Sequence, residues 1–309
     1  MLELLQSAST VLITTHKDPD LDGVGSALAW YLQLKKMGKT CVIWVADGFE
    51  HAHYLSGLDA VVTEIPRGLT FDVLLVLDAS TIDRVRGVDV LSKFPFSYNI
   101  LNIDHHMDNT MFGNVNIVDK TASSVAEMTV TLFKESGWEI DKQTADNLYA
   151  GLCYDTGRFM HSNVTEKTFL TAAELLRCGA DARRVTQAMY EDLSVSDLDV
   201  MKLTIDNMIV KKDIGYAYTV LPKEVRGQTK IKPIDVMRML GGVKVVMVFQ
   251  ECANGEIKVN FRSKSGVNVQ ELASLFGGGG HYMAAGVTLA GRVQDVINKI
   301  SKELEKALN

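Results

Sequence analysis

Short, continuously apolar segments recur in the first third of the chain and constrain its fold more than any other feature. Four of them are VLITTH (11–16), CVIWVA (41–46), VLLVLD (73–78) and NILNID (99–104). Residues 23–39, between the first two, carry apolar side chains on one helical face and include Gly38, a typical residue at a helix C-terminus. Apolar strands that alternate with helices are typical of a parallel sheet covered on both faces. The sequence therefore predicts an α/β fold whose N-terminal domain is built on a parallel sheet.

The pattern changes in the second half of the chain. Residues 166–210 have the periodicity of two or more helices. Further helices are expected at 124–137, 146–159, 269–276 and 292–307. The first of these is predicted to begin with a capping box formed by Ser124 and Glu127. Strands are predicted at 215–221, 243–252 and 256–263, with a hairpin turn at Asn254-Gly255. We therefore predict an N-terminal domain (1–185), a helical connector (186–211) and a smaller mixed α/β C-terminal domain (212–309).

Composition narrows the functional classes. The 309 residues carry a formal net charge of -6, whereas nonspecific binding to long nucleic acid depends on a basic surface. A local pocket for a small phosphorylated ligand is compatible with that charge. The four cysteines form no CxxC pair, which favours reduced thiols and a cytoplasmic protein. We predict neither a signal peptide nor a membrane span, since no segment has the roughly 18–20 apolar residues that a span requires.

A dense group of acidic residues and a histidine follows the first predicted strand. Alternate positions of THKDPDLDGVGS (15–26) are occupied by His16, Asp18, Asp20 and Asp22. Other predicted elements end at or near Asp78, Asp104, His105, His106 and Asp155. Ligands of parallel α/β sheets bind at the carboxyl ends of the strands. A single aspartate after a strand is usually a helix cap, but four segments that bring acids or imidazoles to one edge predict a shared site.

Carboxylates this close repel one another, so the predicted site needs positive charge. Carboxylate and imidazole ligands without cysteine suit Mn²⁺ or Mg²⁺, with Zn²⁺ or Fe²⁺ as alternatives, and more than four ligands indicate two ions. The pattern from Asp18 to Gly23 is also similar to the start of an EF-hand calcium loop. That loop requires a glutamate at its twelfth position, where this chain has Ala29, and a helix before it rather than a strand. We therefore do not predict a calcium loop.

An ordered set of motifs connects these residues to a known family. The motifs are HKDPDLDGVGS (16–26), LDAS (77–80), IDHH (103–106) and YDTG (154–157). In this order they resemble the four motifs of the DHH phosphoesterase superfamily, with its Asp-His-His signature in the third. Residues 260–286, which include GGGGH, are similar to the DHH-associated C-terminal domain. The chain most resembles the short nanoRNase and pAp phosphatase subgroup, and the resemblance covers nearly its whole length.

The resemblance implies two metal sites. One ion would be held by His16, Asp20 and Asp78. The other would be held by Asp22, Asp78, His105 and Asp155, so that Asp78 bridges the two ions. Ions roughly 3.5–4 Å apart can share a water, lower its pKa toward neutrality and so generate the nucleophile that attacks phosphorus. The expected cofactors are two divalent ions, Mn²⁺ with Mg²⁺ as the alternative.

The resemblance also implies roles around the metals and in the C-terminal domain. The catalytic residues would be Asp78, Asp104 and His106. Asp104 would orient the adjacent imidazole, and His106 would face the substrate phosphate. Asp18 would orient its loop without contacting an ion. The implied substrate contacts are Arg262, Ser263, Gly278, Gly279, Gly280 and His281. Arg158 is a further candidate, with a surface salt bridge as the alternative.

The resemblance implies a metal-dependent phosphoesterase that hydrolyses short RNA or DNA oligonucleotides and adenosine 3′,5′-bisphosphate (pAp). A glycine run on its own is most simply a flexible loop, but here an arginine that suits bidentate phosphate contacts ends a strand in the same domain. Three hypotheses compete: a phosphodiesterase for cyclic dinucleotides or pApA, an inorganic pyrophosphatase, and an inactive nucleotide sensor. GGGGH disfavours the second, and the complete set of six ligands disfavours the third. The family further suggests a homodimer.

Overall fold

The chain divides into two compact units, Met1–Glu191 and Asp192–Asn309. The computed structural model describes residues 1–49, 52–89, 98–225, 231–252 and 254–308. The predicted α/β class is confirmed, because the first unit has a parallel sheet and the second a mixed one. No helix in these described ranges has both the length and the apolar composition that crossing a membrane requires.

A six-stranded parallel sheet forms the centre of the first unit. Its strands are β1 (Thr10–Thr15), β2 (Thr40–Trp44), β3 (Val61–Val62), β4 (Val73–Leu77), β5 (Asn99–Asp104) and β6 (Val115–Val118). The order is β3-β2-β1-β4-β5-β6, and the four predicted strands are β1, β2, β4 and β5. Successive strands lie to one side of β1 and then, from β4 onwards, to its other side. At such a switch point the chain leaves the carboxyl ends of the two central strands in opposite directions. A crevice that can bind ligands lies outside these two strand ends.

The two faces of this sheet are covered by different kinds of structure. The helices of the first unit are α1 (Leu2–Ser7), α2 (Leu21–Lys36), α3 (Val125–Glu135), α4 (Lys142–Asp155), α5 (Glu166–Arg177) and α6 (Ala182–Tyr190). One face packs on helices through a core that includes Trp30 of α2 and Phe133 of α3. The opposite face packs on loop residues such as Phe71 and Val85, and no α-helix of the described ranges joins that second cluster. Both faces are therefore covered, as predicted, and in the part of the chain that the structure describes, α-helices cover one of them.

Two helix ends differ from the sequence prediction. Ser124 caps α3 by accepting a hydrogen bond from the N–H of Glu127 (3.0 Å). The second half of the predicted capping box is not formed, because the Glu127 carboxylate accepts from Ser123 Oγ (2.6 Å) and Thr168 Oγ1 (3.0 Å) instead. Helix α4 (Lys142–Asp155) ends at Asp155, whereas the sequence predicted a helix over 146–159 that ends near Gly157. In the first case a contact with a distant helix replaces the local contact that the sequence indicated.

The second unit is built on a mixed sheet. Its strands are β7 (Ile209–Lys211), β8 (Tyr216–Leu221), β9 (Val245–Glu251), β10 (Glu256–Ser263), β11 (Gly279–His281) and β12 (Ala284–Ala290), in the order β11-β12-β10-β9-β8-β7. Its helices are α7 (Val195–Asp206), α8 (Pro233–Arg238), α9 (Val269–Ser274) and α10 (Val293–Leu308). The antiparallel pairing of β9 with β10 confirms the predicted hairpin. Strands β11 and β12, which both contain glycine, were not predicted. The connector at 186–211 includes α7, and its assignment as a separate part stays a prediction.

Candidate metal centre

The predicted metal ligands come together at the carboxyl edge of the parallel sheet. His16 follows β1 directly, Asp78 follows β4, and β5 ends beside His105. Asp20 is the N-cap of α2, and Asp155 is the last residue of α4. Within each of three groups, ligand atoms lie within 4.8 Å of one another: His16, Asp20 and Asp78; Asp22, His105 and Asp155; Asp78, His105 and His106. Sequence-distant segments therefore converge on one cluster.

Asp78 lies at the centre of this cluster. Its Oδ2 is 3.5 Å from Nε2 of His16, and its Oδ1 is 3.6 Å from Nε2 of His105. The residue is 3% exposed, and no hydrogen bond to Oδ1 is found within the described part of the chain. A buried carboxylate oxygen without a hydrogen-bond donor is costly unless a cation compensates its charge. The backbone φ of 58° is rare for a residue other than glycine, and such strain is typical of functional positions.

The two histidines among the predicted ligands, His16 and His105, are oriented by main-chain carbonyl groups. Nδ1 of His16 lies 2.7 Å from the carbonyl oxygen of Lys17, and Nδ1 of His105 lies 3.2 Å from that of Ala122. When Nδ1 donates its proton to the carbonyl, Nε2 presents its lone pair to the cluster. This second contact fixes the tautomer and the ring orientation of metal-binding histidines in general.

Asp22 joins three helices at the site. It belongs to α2, its Oδ2 accepts from the N–H of Val125 (2.7 Å), and its Oδ1 accepts from the N–H of Ala126 (2.9 Å) at the start of α3. The residue is 0% exposed. A Cβ atom at Gly151 of α4 would lie 3.0 Å from Oδ1, so a glycine leaves room for the carboxylate there. The partial positive charge of a helix N-terminus stabilises an anion in this position.

Asp20 and Asp155 approach the cluster from helix ends. Oδ1 of Asp20 accepts from the N–H of Asp22 (3.0 Å) and lies 3.8 Å from Nε2 of His16. Oδ2 of Asp155 lies 3.4 Å from Nε2 of His105. A helix C-terminus is a poor environment for a carboxylate, because the helix dipole is negative there. A cation beside Asp155 would relieve that repulsion.

The electrostatics of the cluster indicate excess negative charge. Burial, followed by the charge of Asp78, raises the pKa of Asp22 well above its usual range. Burial is also the main cause that raises the pKa of Asp155 to about 6. Burial alone would lower the pKa of His16, but its contacts with Asp20 and Asp78 raise it to about 11. The raised pKa values of these carboxylates and of this imidazole both reduce the net negative charge of the cluster. Such shifts are expected for the side chains of a cation-binding site when no cation balances their charge.

The donor set fits hard or borderline divalent ions. The six predicted ligands are four carboxylates and two imidazoles, a combination that suits Mn²⁺ and Mg²⁺ better than metals that prefer thiolate. The buried, unbonded Oδ1 of Asp78 gives a separate indication that a cation belongs here. The assignment of each ligand to one ion or the other stays a prediction.

His106 and Asp104 form a pair beside the ligands. Nδ1 of His106 lies 2.7 Å from Oδ1 of Asp104 and 3.5 Å from Oδ1 of Asp78. The imidazole that Asp104 contacts is thus that of His106, not that of the adjacent His105 as expected from sequence. Burial would raise the pKa of Asp104, but hydrogen bonds from His106 and Asn109 outweigh burial and lower it. Asp104 is therefore an anion that holds the ring of His106.

Asp18 lies outside the three groups. Its N–H donates to Oδ2 of Asp47 (2.9 Å), and the guanidinium of Arg86 contacts the carboxylates of both aspartates. This arrangement agrees with a role in holding the loop. Sequence analysis missed Arg86, because neither of its partners is near it in the chain.

Arg158 follows the fourth motif in a strained turn. Gly157, Arg158 and Phe159 have φ values of 53°, 62° and 60°. The left-handed conformation costs roughly 1–2 kcal/mol at each residue that is not glycine. The guanidinium lies 4.6 Å from the ring centre of Tyr190, and no salt bridge of Arg158 is found within the described ranges. The alternative of a surface salt bridge is therefore replaced by a cation–π contact, and the predicted contact with substrate stays a prediction.

The predicted substrate residues of the second unit lie on β10 and β11, except Gly278, which directly precedes β11. Arg262 and Ser263 end β10, and Arg262 donates to the carbonyl of Phe261 (3.0 Å). Ser263 is 4% exposed, and its Oγ has no hydrogen-bond partner among the described residues. Gly279 and His281 belong to β11, and the side chain of His281 lies outside what the structure describes. The buried Ser263 hydroxyl is thus a polar group in need of a partner.

The glycine run is explained in part by packing. A Cβ atom at Gly278 would lie 2.3 Å from the carbonyl oxygen of Gly286, and one at Gly280, where φ is 136°, would lie 2.5 Å from that of Ala284. Among the described residues, nothing lies within 4 Å of a Cβ atom at Gly279. The sheet itself therefore requires glycine at 278 and 280, whereas packing gives no reason for glycine at 279.

Comparison with known proteins agrees with the motifs. Residues 10–152 match the model of the DHH family, N-terminal domain, and residues 214–309 match that of the DHHA1 domain. A protein of Thermus thermophilus named a bifunctional oligoribonuclease and PAP phosphatase, NrnA, is 31% identical over 96% of this chain and 91% of its own. The Bacillus subtilis protein of the same name is 30% identical over 98% and 99%.

A solved structure agrees over the same extent. An exopolyphosphatase-related protein from Bacteroides fragilis has a TM-score of 0.89 and 25% identity, covering 99% of this chain and 96% of that one. One conclusion follows from three findings: the matches to two family models, the similarity to full-length relatives, and the convergence of the motif residues on one sheet edge. This chain belongs to the DHH family and carries a DHHA1 domain after its DHH domain.

Proposed function

We propose that this protein is a metal-dependent hydrolase that cleaves short oligoribonucleotides and pAp to mononucleotides. The observation that carries the proposal is the cluster around Asp78, found in a chain that matches, over nearly its full length, relatives named for these two activities. The cluster supports phosphoester hydrolysis, and the names of the relatives support these substrates over cyclic dinucleotides.

The metal ligands would hold two divalent ions, with Asp78 shared between them. When bound, the ions supply an activated water and neutralise phosphate charge. We propose Mn²⁺ as the preferred ion and Mg²⁺ as its substitute. The distances from the two Asp78 oxygens to different imidazoles, 3.5 and 3.6 Å, support a bridging position.

The remaining residues act on the substrate. Asp104 engages Nδ1 of His106, so that Nε2 is the ring nitrogen proposed to meet the phosphate. In the second unit Arg262, Ser263 and Gly279 are proposed to bind the nucleotide, with Arg262 suited to bidentate phosphate contacts. The buried Ser263 hydroxyl supports a polar ligand near the end of β10.

A substrate panel tests the proposal. Product release would be measured with Mn²⁺ for pAp, pApA, c-di-AMP, and RNA of two, five and twenty nucleotides. We expect cleavage of pAp and of the two short RNAs, with c-di-AMP and the longest RNA spared. Preferential turnover of c-di-AMP or pApA would assign the protein to second-messenger hydrolysis instead, and no turnover of any compound would favour a binding protein.

Gly279→Ala separates a phosphate-binding role of the glycine run from a packing role. Because the added methyl group meets no atom of the described residues within 4 Å, the thermal unfolding midpoint should stay unchanged. If the main chain at 279 approaches the substrate, KM for pAp should rise roughly tenfold, which corresponds to about 1.4 kcal/mol of lost binding. Gly241→Ala, which also meets open space, is the matched control. An unchanged KM for Gly279→Ala would remove this residue from the proposed binding site.

We also propose that the enzyme is cytoplasmic and forms a homodimer. All four cysteines are free thiols, which favours the reducing cytoplasm. The family resemblance favours a homodimer, and sedimentation equilibrium would distinguish a dimer from a monomer of 34.0 kDa.

A further inference from the structure

A chain of side-chain hydrogen bonds leads from β5 to His106. Nδ2 of Asn109 donates to Oδ2 of Asp104 (2.6 Å) and to Oδ1 of Asn102 (2.8 Å). The other oxygen of Asp104 lies 2.7 Å from Nδ1 of His106. Asn102 and Asp104 are both 0% exposed and, two residues apart on a strand, share one face of the sheet. The amide of Asn109 therefore bridges two buried acceptors.

This chain is anchored at both ends. Nδ2 of Asn102 donates to the carbonyls of Val76 (3.3 Å) and Ala79 (3.2 Å), which flank Asp78. Oδ1 of Asn109 accepts from the N–H of Met111 (2.7 Å), and Met111 itself has a φ of 55°. An amide group whose donors and acceptor are all engaged cannot turn without breaking several hydrogen bonds at once. Asn109 is thus held rigidly against Asp104.

We propose that Asn109 is a positioning residue for His106 and acts through Asp104, with Asn102 as its anchor. Asp104 has two oxygens, and the bond to Asn109 fixes the plane in which the second one meets His106. Loss of that bond would let the carboxylate rotate and His106 swing away from the position in which it meets phosphate. The last step rests on the proposed function; the control of the His106 ring by Asn109 does not.

A double-mutant cycle tests the route of action. Hydrolysis of pAp would be measured for the wild type, Asn109→Ala, His106→Ala and the double variant. Removing a partner that orients an active-site ligand typically costs 10–100-fold, so we expect a loss of about that size in kcat/KM for Asn109→Ala. In the His106→Ala background, Asn109→Ala should lower kcat/KM by less than about twofold, because the side chain that Asn109 positions is absent. Equal losses in both backgrounds would overturn the proposal.

Asn116→Ala is the matched control. Asn116 lies in the same segment, but within the described ranges the partners of its side-chain amide are main-chain groups of Gly113 and Met111. We expect its kcat/KM to stay within about twofold of the wild type, even if stability falls. A loss as large as that of Asn109→Ala would mean that Asn109 merely supports the loop, and would contradict the proposal.

A spectroscopic measurement gives an answer that does not depend on turnover. The imidazole nitrogen signals of His106 would be recorded by nuclear magnetic resonance in the Mg²⁺-loaded protein and assigned by their absence in His106→Ala. In the wild type we expect one ring state with the proton on Nδ1, and in Asn109→Ala a shift or a mixture of states. Unchanged His106 signals in Asn109→Ala would overturn the proposal. Failure of the wild type to hydrolyse any compound would instead count against the proposed function alone.

Discussion

Asp78→Ala should reduce the hydrolysis of pAp and short RNA by at least about 10³-fold. When several residues act as a unit, removal of one of them abolishes most of the catalytic effect of the whole group. Both predicted metal sites depend on this carboxylate, whose two oxygens face different imidazoles. The measurement is kcat/KM at saturating Mn²⁺, together with calorimetric titration of the metal. The wild type should bind two ions per chain and the variant at most one.

A control excludes a general effect of removing a carboxylate from this segment. Asp83 lies five positions further along and is exposed, outside all three ligand groups. Asp83→Ala should keep wild-type activity and metal stoichiometry. Far-UV circular dichroism of Asp78→Ala should match the wild type, which separates lost chemistry from lost folding. Activity of Asp78→Ala within tenfold of the wild type would refute the bridging role.

Addition of Mn²⁺ to metal-free protein should raise the unfolding temperature of the first unit markedly. The ligands come from segments that only the folded chain brings together, so the ions bind the folded state and stabilise it by mass action. At an ion concentration 100 times Kd, each site contributes about 2.7 kcal/mol. For a unit of this size, that corresponds to a rise of roughly 5–10 °C per site. Calorimetric scans of the protein with chelator and with Mn²⁺ measure the shift.

The same scans on variants identify the source of the stabilisation. His105→Ala removes a ligand of one predicted site and should leave about half of the shift, whereas Asp83→Ala should leave all of it. Na⁺ added to the same ionic strength should produce almost none of the shift, because a specific site distinguishes a divalent ion from general screening. An equal shift for Asp78→Ala and the wild type would place the stabilising ions elsewhere.

The site was predictable from sequence where local pattern and topology determine it. Among the candidate ligands, His16, Asp78 and His105 each follow an apolar strand that could be recognised by its length and β-branched residues. Parallel strands bring their carboxyl ends to one edge, so strand recognition was enough to predict the convergence. The glycines at 278 and 280 show the opposite case, because a motif associated with ligand binding also satisfies a packing demand that only β12 reveals.

The parts that sequence did not predict depend on contacts between distant segments. Arg86 meets Asp18 and Asp47, and Asn109 meets Asn102, without any periodicity that would indicate it. Glu127 had the spacing of a capping box, yet its carboxylate bonds to Thr168 of another helix. A local pattern gives the set of available hydrogen bonds, but packing decides which of them forms.

The bond between Asp22 and the start of α3 makes two main-chain amides into reporters of the metal centre. The first N–H groups of a helix have no carbonyl partner within the helix and usually exchange their hydrogen with solvent quickly. Those of Val125 and Ala126 are instead protected by Asp22, which belongs to the ligand cluster. Hydrogen exchange at these two positions therefore registers any change that displaces or neutralises this carboxylate, without a label or a substrate.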